Sequence, residues 1–142
     1  MSRSAKLEEA YLRTSYRVEE VEKPFDIRVG QSSPQLENLL ATYGATSWAY
    51  ITAFNPRSIP LSLEENERRH VELLHAAQTL GCRTLVGHGV GDDGVWPPEK
   101  SLLILDIDRH TARELGVRFE QNAILVGERG GLPELLAIQS GR

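Results

Sequence analysis

The alternation of hydrophobic and polar residues predicts a series of β-strands. Residues 25–29 alternate apolar and charged side chains, which is typical of a strand with one buried face. Residues 48–54 are almost wholly apolar and rich in aromatic rings, so they predict a central strand covered on both faces. Further strands are predicted over residues 16–21, 83–88, 99–106 and 122–127.

Helices are predicted where apolar side chains recur every three or four residues between helix-capping residues. Residues 62–80 give the clearest case, because Ser62 and Glu65 have the spacing of a capping box and Gly81 follows the last turn. Further helices are predicted over residues 34–43, 109–116 and 133–138.

Together these elements predict one domain of the α/β (α+β) class. Neighbouring strands with no helix between them imply antiparallel pairs, so we expect a mixed, mostly antiparallel sheet of about five strands with helices packed on it. This single domain is predicted over residues 15–138. Residues 1–14 are predicted to form an N-terminal extension or short helix, and residues 139–142 a C-terminal tail.

Composition narrows the class of function. The formal net charge of −4 argues against nucleic-acid binding, and Arg68 and Arg69 lie among glutamates, as on a solvated helix face. No secretory signal core is visible, and no apolar run approaches the ~18 residues of a membrane span. The single cysteine, Cys82, allows no intrachain disulfide and is typical of a reducing compartment. We therefore expect a cytoplasmic protein that binds neither nucleic acid nor membranes.

Neither a metal nor a cofactor is predicted. The four histidines and the single cysteine lack the spacing of a zinc site. Gly87, Gly89 and Gly91 have the spacing of a dinucleotide-binding loop, but such a loop leads directly into a helix. Here two aspartates follow instead, so residues 87–94 are predicted to form a hairpin turn.

Asn66 is predicted to be buried, because it falls within the apolar stripe of the helix over 62–80. Burying an unpaired amide costs roughly 1–3 kcal/mol, so Asn66 needs hydrogen-bond partners. Two interpretations stay open: a structural bond to the preceding loop or a sheet edge, and a polar pocket wall. In that loop, Arg57 and Ser58 lie between a strand end and a helix start, where nearby glutamates favour a neutral or weakly anionic ligand.

An ordered set of short motifs resembles a bacterial family. The set consists of ITAFNP at 51–56, Ser62 with Glu65 and Asn66, Trp96 with Glu99 and Ser101, and QNAI at 121–124. These motifs resemble domain-of-unknown-function family 3293, and the resemblance extends over roughly residues 16–135. It implies a domain boundary and a candidate site, and it implies no activity.

The candidate site is built from polar side chains at the ends of predicted strands. Glu99 lies between a restrained Trp-Pro-Pro segment and a buried strand, so it is the candidate general acid or base. The candidate ligand-binding residues are Thr52, Asn55, Arg57, Ser58, Asn66, Trp96, Ser101, Gln121 and Asn122.

Two functions are compatible with these residues. The first is a pocket at the sheet end that binds a small polar metabolite or nucleotide-like ligand, and that transforms it if the protein is an enzyme. The second is a non-catalytic interaction or regulatory module, which would act through an apolar patch of Trp48, Tyr50 and Trp96 or as a homodimer. The sequence leaves open whether the protein is an enzyme.

Overall fold

A computed structural model describes residues 3–92, 94 and 96–138, and the side chains from residue 8 onward. The tail expected over 139–142 lies outside this part. The helices are α1 (Arg3–Leu12), α2 (Pro34–Tyr43), α3 (Leu63–Thr79) and α4 (Arg109–Arg118). The strands are β1 (Thr14–Val18), β2 (Phe25–Ile27), β3 (Ser47–Thr52), β4 (Arg83–Gly91), β5 (Glu99–Leu105), β6 (Ala123–Glu128) and β7 (Glu134–Ala137). None of the described helices is both long enough and apolar enough to cross a membrane.

Within the described residues, seven strands form one sheet in the order β2-β1-β4-β5-β3-β6-β7. Every neighbouring pair is antiparallel. The predicted α+β class is therefore confirmed, while the sheet is larger than about five strands and has no parallel pair. The expected domain boundaries stay a prediction.

Each face of the sheet carries its own hydrophobic core, because successive side chains of a strand point to opposite faces. On one face, α3 and α4 pack against a cluster that contains Leu102 and Ile104 of β5. On the other face, α2 packs against a cluster that contains Leu103 and Leu105 of the same strand. The middle of β3 is buried throughout, so the prediction of a central strand covered on both faces is confirmed.

Two of the predicted helix starts are confirmed in detail. The Ser62 hydroxyl accepts a hydrogen bond from the backbone N–H of Glu65, whose carboxylate accepts one from the Ser62 N–H, which completes the capping box of α3. The Ser33 hydroxyl caps α2, and Gly44 ends that helix with a left-handed φ of 64°.

The hairpin turn predicted over residues 87–94 is wrong in its position along the chain. β4 continues to Gly91, because Gly87 pairs with Ser101 and Gly89 pairs with Glu99 on β5. A side chain cannot replace the hydrogen at Gly87, since a Cβ there would lie 1.9 Å from the Arg17 carbonyl oxygen. Gly87 therefore serves close packing inside a strand rather than a turn.

The C-terminal part also differs from the prediction. Residues 134–137 form β7 and not a helix, because they pair with β6 and satisfy its outer backbone groups. α4 runs past Gly116 to Arg118. Gly116 packs closely inside this helix rather than ending it, since a Cβ there would lie 2.9 Å from the end of the Ile138 side chain, which would have to shift.

Candidate functional site

A cavity of about 530 Å³ opens on the face of the sheet that also carries α2. Its walls come from the end of α1, from strands β1, β3, β4, β5 and β6, and from the loops around Ser58, Trp96 and Gln121. The volume lies within the roughly 300–1,000 Å³ of small-molecule sites.

Aromatic side chains form much of the wall: Tyr11, Tyr16, Tyr50 and Trp96. The rings of Tyr16 and Tyr50 meet edge to face, with their centroids 5.4 Å apart. The Tyr50 hydroxyl donates a hydrogen bond to the Arg17 carbonyl at 2.6 Å, and the Tyr16 hydroxyl donates to the Tyr11 carbonyl. Burial raises the pKa of all three tyrosines, that of Tyr11 to about 12, so these side chains are uncharged near neutral pH.

Two glycines of β4, Gly89 and Gly91, leave space for the cavity because they have no side chain to fill it. Residues two apart in a strand face the same side, so both present only hydrogens to the cavity. In the register of the sheet, Gly89 lies between Tyr16 on β1 and Glu99 on β5. The bare backbone at Gly89 therefore separates an aromatic ring from a carboxylate.

Glu99 supplies the carboxylate of the cavity. Its Oε2 atom accepts hydrogen bonds from Asn55 Nδ2 and from Trp96 Nε1, both at 2.8 Å. Within the described residues, no donor reaches its Oε1 atom and no cation pairs with it. Burial raises the pKa of Glu99 above its ordinary value, although the two hydrogen bonds act in the opposite direction.

Asn55 and Asn66 position the Glu99 side chain through hydrogen bonds. Asn66 is only 4% exposed; its Oδ1 accepts a hydrogen bond from the Asn55 backbone at 2.9 Å and its Nδ2 donates to Asn55 Oδ1 at 2.8 Å. This arrangement leaves the Asn55 amide nitrogen facing Glu99. The prediction that Asn66 is buried and bonded to the preceding loop is confirmed, and its side chain does not line the cavity.

The loop after β3 is backbone-strained where it passes the cavity. Asn55, Arg57 and Ser58 have left-handed φ values of 48°, 52° and 62°, and Glu120 on the facing loop has 57°. The Arg57 N–H donates to the Glu120 carbonyl at 2.7 Å, which joins the two loops. Such conformations cost of order 1–3 kcal/mol each in residues other than glycine, and they concentrate at functional sites.

Two long side chains hold the strained loops together. Arg69 donates to the carbonyl oxygens of Ala53 and Phe119 and forms an ion pair with Glu120. Gln121 donates to the carbonyl oxygens of Phe54 and Phe119 at 3.2 and 3.1 Å. The prediction that Arg69 lies on a solvated helix face is therefore wrong. Its spacing of three residues from the inward-facing Asn66 is the signal that could have revealed this position.

Six of the predicted site residues line the cavity: Thr52, Ser58, Trp96, Glu99, Ser101 and Gln121. Four do not line it: Asn55, Arg57, Asn66 and Asn122. The Asn122 amide donates to the Ser58 hydroxyl at 2.9 Å, so it orients a residue of the wall instead. The hydroxyls of Thr52 and Ser101 donate to backbone carbonyls of β5, Lys100 and Glu99 respectively.

The sequence prediction missed the wall on the side of α1, β1 and β4. Tyr11, Tyr16, Gly89 and Gly91 belong to the cavity as fully as Glu99 does. In the part of the chain that the structure describes, no group of three or more His, Cys, Asp or Glu residues could hold a metal ion.

The fold and the cavity define an α+β domain with a small-molecule-sized pocket on one face of its sheet. The family model described as "Protein of unknown function (DUF3293)" matches residues 51–124. This match covers just over half of the chain, from β3 to the beginning of β6, so the chain belongs to that family. No curated protein and no solved structure matches the chain.

Proposed function

We propose that the protein binds a small polar metabolite or nucleotide-like ligand in this cavity, and that Glu99 is the group that fixes it. The observation that supports this most directly is the carboxylate itself, of which one oxygen is held by two N–H donors and the other has no donor among the described residues. A few polar groups among apolar walls are the usual form of a small-molecule site.

Glu99 also has the properties of a proton-transfer group. Two hydrogen bonds fix its orientation, and burial raises its pKa above the ordinary value of a glutamate. A general acid or base works best when its pKa lies near the working pH. If the ligand is also a substrate, Glu99 is the residue that exchanges a proton with it.

The alternative function, contact with another protein through an aromatic patch, has less support. Trp48 and Tyr50 are 2% and 3% exposed, so only Trp96 of the three proposed contact residues reaches the surface. We further propose a location in the bacterial cytoplasm. The family resemblance and the single cysteine support it.

Mass spectrometry of small molecules retained by the purified protein tests the binding function. We expect Glu99→Gln and Gly89→Leu to retain far less ligand than the wild type. The first keeps the shape of the side chain and removes its charge; the second fills the cavity. Strand geometry tolerates a side chain at position 89, because a Cβ there would make ordinary contacts at 3.8 Å or more.

The matched control is Glu64→Gln, which neutralises a glutamate on the exposed face of α3. It should retain as much ligand as the wild type. Equal retention by the wild type, Glu99→Gln and Gly89→Leu, with all three folded by circular dichroism, would place any bound ligand elsewhere and refute the proposal.

A further inference from the structure

Among the described residues, not every charged side chain of the cavity wall has a partner of opposite charge. Within the described residues, the charged side chains of the wall are Arg13, Asp92 and Glu99. Arg13 pairs with Glu9 at 3.1 Å, and Asp92 pairs with Arg28. Because Arg13 and Asp92 are both exposed, these two ion pairs belong to the solvated mouth. Of the charged side chains that the structure describes in this wall, Glu99 alone has no opposite charge beside it.

Other basic side chains near Glu99 are engaged elsewhere. Lys100, the next residue along β5, points to the opposite face of the sheet and pairs with Glu67 of α3 at 2.8 Å. The side chain of Arg57 does not line the cavity. The described chain therefore solvates Glu99 with neutral N–H donors and provides no cation to neutralise it.

Glu99 is only partly buried, but a carboxylate withdrawn from solvent without a counter-charge is still costly, and a ligand that carries the missing positive charge would offset that cost. The aromatic wall favours the same charge, because the faces of tyrosine and tryptophan rings attract cations. An anionic ligand would meet the Glu99 carboxylate unfavourably. A neutral ligand would gain a hydrogen bond at Oε1 without compensating the charge.

We infer that the cavity selects a small organic cation, an ammonium group on an apolar body, which pairs with Glu99 while its body contacts the tyrosines and Trp96. This inference rests on the proposed ligand-binding function; of the two proposed ligand classes it selects the small polar metabolite and assigns it a positive charge. The strongest competing class is a neutral purine base, whose ring N–H groups would donate to Glu99 and whose ring would stack on the aromatic wall.

Three probes of similar shape and different charge test the inference: 2-phenylethylammonium, 2-phenylethanol and 3-phenylpropanoate. Titration by NMR at about pH 7 measures their affinities for the wild type, Glu99→Gln and the control Glu64→Gln. We expect the wild type and the control to bind the ammonium at least about tenfold more tightly than the alcohol, and the propanoate least, since a charge-assisted hydrogen bond contributes roughly 1.5 kcal/mol or more. In Glu99→Gln this preference should disappear.

Wild-type affinities that are equal for the three probes, too weak to measure, or unaffected in their order by Glu99→Gln would overturn the inference. Binding of guanosine that depends on Glu99, without a preference for the ammonium, would also overturn it and would indicate the purine class. These results leave the proposed function standing as long as Glu99→Gln and Gly89→Leu lose the ligand that the wild type retains.

Discussion

At the residue scale, Glu99 combines two opposing influences. Burial disfavours its charge, while the N–H groups of Asn55 and Trp96 favour it, and the balance leaves its pKa above the ordinary value. Asn66 acts on Glu99 only through Asn55, because it orients the amide that reaches the carboxylate. The site is thus a chain of hydrogen bonds that extends from the buried face of α3 to the cavity.

The raised pKa of Glu99 predicts how stability depends on pH. A group whose pKa is higher in the folded than in the unfolded state contributes stability that is fully present below the unfolded pKa of about 4.3. That contribution is lost as the pH rises through the folded pKa. We therefore expect the melting temperature of Glu99→Gln to rise relative to that of the wild type as the pH increases above about 4.3, because glutamine keeps an acceptor for Asn55 and Trp96 and carries no charge.

Melting curves of both proteins across this pH range provide the measurement, with Glu64→Gln as the control for the loss of an exposed charge. Parallel profiles for the wild type and Glu99→Gln would show that the folded and unfolded pKa values of Glu99 are the same.

The sequence predicted some of these residues for a clear physical reason. Asn66 could be recognised because a helix has a fixed period, so a polar residue inside an apolar stripe must be buried. Tyr16 and Gly89 could not be recognised, because their meeting depends on the register between β1 and β4, which are distant in the chain. The periodicity of the sequence shows on which face of an element a residue lies. The register between strands determines which residues become neighbours.

At the element scale, the important unit is α3 with the two loops that it holds. Asn66 bonds to the loop after β3, and Arg69, one turn later, reaches that loop and the one after α4. The left-handed residues in both loops need such external support, because their own conformations are unfavourable. The position of Glu99 therefore depends on a helix on the opposite face of the sheet.

Arg69→Met should destabilise the protein, since methionine keeps much of the apolar stem but removes the side-chain donor to the Ala53 carbonyl and leaves the Phe119 carbonyl with Gln121 alone. We expect a loss of about 1–3 kcal/mol in the free energy of unfolding, measured by urea denaturation. Arg68→Met is the matched control, because Arg68 is exposed and, among the described residues, pairs only with Glu64 of its own helix. A loss of the same size in both variants would show that Arg69 does not hold the loops.

The C-terminal segment shows where prediction from local sequence fails at this scale. Residues 133–138 were predicted to form a helix, yet residues 134–137 pair with β6. Such a short segment has a weak intrinsic preference, and the backbone hydrogen bonds offered by a sheet edge outweigh it. The longer α3, with its capping box and its apolar stripe, was predicted to within a residue or two.

At the scale of the whole molecule, the two faces of the sheet have different roles. The face under α3 and α4 carries one core, whereas the other face is divided between the core around α2 and the cavity. An antiparallel sheet with a continuous core on one face can support a cavity on the other without losing its central strands. The fold class was predictable because it follows from the order of the elements; the cavity was not, since it depends on how seven strands pair.

This division of the sheet predicts that folding needs neither a metal nor a disulfide. A chain of this length can bury about two-thirds of its unfolded surface, and the two cores here include large, fully buried side chains on both faces, such as Trp48 and Ile104. Cys82 is the one cysteine in the sequence, so a reductant has no intrachain bond to break. We therefore expect the same melting temperature, within about one degree, in buffer alone, with a chelator and with a reductant. A fall of several degrees with the chelator would reveal a stabilising metal, because a metal that binds the folded state raises its melting temperature. A fall of several degrees with the reductant would reveal a disulfide between two chains.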